Sequence, residues 1–147
     1  MPMLQFSYSR ISVGSWIPVK SDEAYLLLRS MQEHPVWDEI QIRLKGAQFP
    51  LLQLSWHLSS GYLLQCFEAP ESNSDFLSQH RTLSDPSEYL DIGGQTQELW
   101  PKELFVPIEL AGVALGHFLA YGCQKPDLTW IGISAFPRRT VNARNSK

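Results

Sequence analysis

Cysteine is scarce: two residues in a chain of 147 cannot build a disulfide framework. Cys66 and Cys123 do not sit in a C-x-x-C or other metal-ligand spacing, and both read as small core residues. Long apolar runs are missing as well. None approaches the ~20 residues a membrane span needs, and the first residues lack a basic patch leading into an apolar stretch, so the expected compartment is the cytoplasm. Catalytic signatures are equally thin. The four histidines, His34, His57, His80 and His117, do not form H-x-x-x-H or H-E-x-x-H, and no Cys or Ser stands at nucleophile-motif spacing. Gly93 and Gly94 belong to neither G-x-G-x-x-G nor a phosphate loop and read as a turn or strand end. No enzymatic activity, cofactor or metal site is expected, and there are no internal repeats or low-complexity tracts.

What is present is a globular composition, 44% apolar and 12% aromatic, over a length that suits one domain spanning residues 1–147. Its charge is unevenly spread. From Glu68 to Glu109 nine carboxylates face only Arg81 and Lys102, a net of −7, which leaves +4 on the rest of a chain whose total is −3. Part of that positive charge lies in a polar tail, residues 138–147, expected to be mobile. A chain whose strongest field is acidic is a poor nucleic-acid binder, because that affinity comes from Lys and Arg on phosphates. It suits a basic protein partner.

Periodicity yields a coarse map. Residues 4–13 alternate loosely and read as a half-buried strand, broken over 14–18. Ser21 and Asp22 are N-cap candidates for a helix over 22–33, in which Ala24, Leu27, Leu28 and Met31 recur at three- and four-residue steps before Pro35 stops it. Ile40, Ile42 and Leu44 alternate with Gln41, Arg43 and Lys45, so the apolar side chains share one face of a strand. Residues 51–58 and 62–67 read as a hairpin around Ser59, Ser60 and Gly61. An acidic, loop-rich stretch with one helical turn near Phe76 then leads to Tyr89.

From Tyr89 to Ile133 the order is strand, loop, buried helix, tight turn, strand. The helix, residues 107–121, has Pro107 at its first position and Gly122 as a left-handed C-cap. Leu110, Val113, Ala114, Phe118 and Tyr121 line one face, with Ala111, Leu115 and Leu119 extending the apolar surface. Glu109, Gly112, Gly116 and Ala120 make a stripe of small or polar residues, open to close packing within the chain or to a partner groove. This stretch resembles the closing segment of the first-numbered immunity-protein family of bacterial polymorphic toxin systems, on Gly93, Gly94, Pro107, Phe118, Gly122, Pro126 and Trp130. The N-terminal half matches only in the order of its elements.

The resemblance implies a binder that neutralises a cognate toxin domain, in this family often a nucleic-acid deaminase or another contact-delivered toxin, by occluding its active site. Two other classes stay open: an effector-loading chaperone, and a small hydrolase using His57, His80 or His117 with a carboxylate. The candidate partner-binding residues are Glu68, Glu71, Asp75, Glu88, Asp91, Glu98, Trp100 and Glu103. Pairs such as Glu68 and Glu71 are equally simple as solvated carboxylates. Trp100, in the acidic connection before Pro101, is either an interface anchor or a cap on the core. Trp56 and Trp130 read as core residues, and His117 as a buried, hydrogen-bonded histidine. The expected fold class is α+β, a mainly antiparallel sheet with two helices packed on it, in the order β-α-β-β-β-loop-β-α-β. No membrane partner is expected, and the oligomeric state is left open.

Overall fold

The computed structural model describes residues 5–10, 15–58, 60–69, 74–81, 89–91, 98–132 and 139–140, with only the backbone at 91, 98–99 and 139–140. The strands are β1 (Phe6–Arg10), β2 (Ile17–Val19), β3 (Trp37–Leu44), β4 (Leu51–His57), β5 (Gly61–Phe67), β6 (Asp75–Leu77), β7 (Tyr89–Asp91), β8 (Glu98–Pro101), β9 (Trp130–Gly132) and β10 (Arg139–Thr140). The helices are α1 (Ala24–Met31) and α2 (Ile108–Tyr121). Seven strands form one antiparallel sheet in the order β2-β1-β3-β4-β5-β6-β9, and β10-β8-β7 form a second, smaller one. The fold class is α+β, with both helices packed on the large sheet.

Strand alternation builds two apolar clusters, one on each side of the sheet. Phe6, Ile40, Ile42, Leu52, Leu54, Tyr62, Leu64, Cys66 and Leu77 face the helices and meet Leu27, Leu28, Met31, Ala111, Leu115 and Phe118. Burying a Leu- or Ile-sized side chain stabilises the fold by about 1.5–3 kcal/mol, so this layer dominates the driving force. The intervening residues Leu63, Phe76 and Ile131 face the other way and meet Trp100, Leu104, Phe105 and Leu90. The register Phe76↔Ile131 places two of them side by side.

Several expectations are corrected. Residues 17–18, read as part of a break, pair with β1 as an edge strand. Phe76 lies in a strand, not a helical turn, and β8 forms inside the stretch read as connection. The first helix starts with a 3₁₀ turn, Ser21–Glu23, and its cap is Lys20, whose backbone N–H donates to the Glu23 carboxylate at 2.8 Å. Pro107 is the N-cap of α2 and not its first helical residue. Val113 and Tyr121 are exposed, and the buried face runs through Ala111, Ala114, Leu115, Phe118 and Leu119. Gly122 takes the left-handed conformation, φ 74°, and donates to Phe118 O at 2.7 Å, as a C-cap glycine does. Gly93 and Gly94 lie outside the described residues. Of the tail, residues 139–140 pair with β8 and the rest lies outside them.

Of the two glycines in the stripe on α2, Gly112 is used for close packing inside the chain, while a Cβ on Gly116 would meet only Ser21 O at 3.9 Å. A Cβ on Gly112 would sit 2.4 Å from the Tyr25 ring, whose hydroxyl donates to Glu109 O at 3.3 Å. The missing side chain lets α1 and α2 approach across that ring.

Candidate functional site

The acidic band is split by the two faces of the sheet. Asp75 sits at the start of β6 on the helix side, half-buried, and its Oδ2 accepts from Gln124 Nε2 at 2.9 Å. It ties the turn after α2 to the sheet edge. Glu68, just past β5, is exposed, and Glu103, in the 3₁₀ turn Lys102–Leu104, is half-buried. The backbones of Asp91 and Glu98 belong to β7 and β8, where the pairings Asp91↔Leu99 and Thr140↔Glu98 bring them onto one small sheet. Glu71 and Glu88 lie outside the described residues. The small sheet therefore carries Asp91 and Glu98 on adjacent strands.

Trp100 anchors that sheet from beneath. It is 4% exposed, with its ring centroid 5.0 Å from that of Phe76 in a tilted arrangement. Its indole belongs to the core, the second of the two roles its sequence position allowed, and is not presented at the surface. Val106 fastens the same segment to β5, where the Tyr62 N–H donates to Val106 O at 2.9 Å and the Val106 N–H to Tyr62 O at 2.7 Å. Glu103 and the acidic strands thus rest on a rigid support.

The histidines do not converge on one another. His34 Nε2 lies 3.5 Å from Asp38 Oδ2, and the same carboxylate oxygen accepts from Arg10 Nε at 2.9 Å. Arg10 also donates to Ser30 Oγ at 2.6 Å, so Asp38, 6% exposed, holds β1, β3 and the end of α1 together. His57 lies on β4 and His80 beyond β6, exposed. His117 is half-buried and not enclosed in the core as expected; its Nε2 is 3.7 Å from Cys123 Sγ and its ring centroid 4.7 Å from that of Tyr121. Cys123 is exposed, contrary to its reading as a core residue, whereas Cys66 is buried. Burial pushes the Cys66 thiol up to about 12, helped by the charges of Glu68 and Asp75 and opposed by a hydrogen bond from Gln124. No group of three or more His, Cys, Asp or Glu able to hold a metal occurs among the described residues.

One concave feature was not anticipated. Ser7, Trp16, Arg43, Leu44, Lys45, Gly46, Ala47 and Gln48 line a cleft of about 360 Å³ at the far edge of the sheet, with the Arg43 guanidinium carbon 3.9 Å from the Trp16 ring centroid. Of the five tryptophans, Trp16 and Trp37 are the exposed ones. The signal for Trp16 was its place in a chain break beside an edge strand. For Arg43 and Lys45 it was their two-residue spacing, which puts both on one face of β3 and its extension.

No helix of the described residues is long and apolar enough to cross a membrane. No protein-family model, characterised protein or solved structure matches the chain.

Proposed function

We propose that this chain is a cytoplasmic immunity protein that binds a cognate antibacterial toxin domain and neutralises it by covering the toxin's active site. The observation carrying the reading is the closing segment. Helix α2 ends on left-handed Gly122, the turn passes through Pro126, and Trp130 opens β9 with its indole N–H donating to Lys125 O at 3.2 Å. Gly122, Pro126 and Trp130 are among the residues on which the resemblance to the immunity family stands, with Pro107 at the N-cap of the same helix, Phe118 within it, and Gly93 and Gly94 outside the described residues. The acidic band supports it physically. A toxin that handles nucleic acid or nucleotides must present cations to phosphate, and the carboxylates of the segment from Glu68 to Glu109, net −7, would compete for those cations and speed encounter. Glu68, Asp91, Glu98 and Glu103 form the proposed contact surface. Asp75 and Trp100 support it from within the fold.

The test is co-expression in a bacterial host with the toxin domain encoded beside this chain, scoring survival and co-purification together. Survival with a stoichiometric complex is expected. Co-purification without survival would favour an effector-loading chaperone, and loss of both would remove the immunity reading.

A further inference from the structure

We propose that the cleft beside β1 and β3, toward the β2 end of the sheet, binds a small phosphorylated molecule with a planar ring, a mononucleotide in chemical class, the ring lying against the part of Trp16 that Arg43 leaves exposed and the phosphate held by Arg43 and Lys45. The cleft has three properties that point this way. It is concave and, at about 360 Å³, of the size that takes a small ligand. It is cationic without being neutralised: among the described residues neither Arg43 nor Lys45 is paired with a carboxylate. It carries an aromatic plate, since Trp16 remains 40% exposed although the Arg43 guanidinium lies over it.

The division of labour follows from the chemistry of each side chain. A guanidinium held over an aromatic face and, among the described residues, without a carboxylate partner has N–H donors that can hold two phosphate oxygens. Lys45 adds a second, compact charge suited to a dianion. The rim is preformed: the Lys45 N–H donates to Gln5 O at 2.7 Å, the Ala47 N–H to Leu44 O at 3.1 Å, and Gly46 between them takes φ 80°, leaving open space where a Cβ would project. Ser7 and Gln48 supply a hydroxyl and an amide at the edge. A free ligand is favoured over a nucleic-acid strand because the chain as a whole is net −3, which repels a polyanion far more than a single dianion.

The test is calorimetric titration of the full chain with adenosine monophosphate, ribose phosphate, adenosine and inorganic phosphate in turn. Saturable binding of adenosine monophosphate is expected, with each fragment at least about tenfold weaker, since each forgoes one half of the site. Lys45→Gln, Arg43→Gln and Trp16→Leu should each weaken it by about tenfold while circular dichroism shows the fold retained. Absence of saturation at millimolar nucleotide, or binding that all three variants leave unchanged, would overturn the assignment. Tighter binding of a single-stranded oligonucleotide at the same salt would overturn it as well, in favour of a polymer. None of these outcomes depends on whether the chain neutralises a toxin.

Discussion

At Gly61 the backbone takes φ 100°, and a Cβ there would lie 2.5 Å from Val106 O. Both the dihedral and the contact forbid a side chain, because the obstacle is backbone fixed by two hydrogen bonds to Tyr62. Gly61→Ala is expected to cost about 3 kcal/mol in urea unfolding, against about 1 kcal/mol or less for Gly112→Ala. At Gly112 the obstacle is only the far end of the exposed Tyr25 ring, which can turn aside. Equal effects would contradict this. The cysteines make a second contrast. Cys66, buried and with its thiol pushed up to about 12, should resist a thiol reagent in the folded chain, while exposed Cys123 reacts. One thiol titrated natively and both after denaturation is the expected count; two fast equivalents would contradict it. His117 sets a pH dependence. Burial, then the Lys125 charge, holds its imidazole below the ordinary 6.5, partly offset by Asp127. Between the folded value and 6.5 the unfolded chain carries the extra proton, so this contribution is present above 6.5 and is lost as pH falls through the folded value. His117→Gln should flatten the stability curve slightly below 6.5, and an unchanged slope would count against the assignment.

Between elements, the Arg10–Asp38 pair joins β1 to β3 and, through Ser30, to α1. Removing one partner leaves an uncompensated charge in the interior, so Asp38→Ala should lower unfolding free energy by about 3 kcal/mol. Trp100→Ala should cost about as much, 3 kcal/mol or more, because it empties the second core. Its effect is therefore on stability first, and loss of binding to the proposed toxin partner in that variant would not by itself mark a contact. The same elements show what was legible in the sequence. The alternation of Ile40 and Ile42, the steps Leu27, Leu28, Met31 and the cap at Gly122 are local signals, and they led to the correct fold class. β6 and β8 are strands of three and four residues, too short for an alternation to stand out, and each also pairs with a strand far along the chain, β9 for β6 and β10 for β8. Val113 and Tyr121 looked like core because α2 is apolar nearly all round, and only the position of α1 decides which side is covered. The cleft escaped for the same reason: Trp16 and Arg43 meet through pairing of the chain ends of β1, β2 and β3, not through any motif.

Across the whole molecule, charge is partitioned. Strands β7 and β8, which carry Asp91 and Glu98, meet the large sheet through Phe76 and Ile131 on β6 and β9, whereas Arg43 and Lys45, unpaired with any carboxylate among the described residues, lie on and just past β3, toward the β2 end of that sheet. Opposed fields of this kind orient an incoming basic partner toward one end. Association with the proposed toxin partner should therefore slow as salt rises, and Glu68→Lys with Glu103→Lys should slow it further at low salt while leaving the fold intact. An on-rate indifferent to salt would remove the steering role. The proposed toxin neutralisation is tested most directly by adding increasing amounts of this chain to the purified candidate toxin domain encoded beside it and following that domain's activity. Activity that falls in proportion and vanishes near equimolar addition is the expected result; full activity with the chain in large excess would contradict the account.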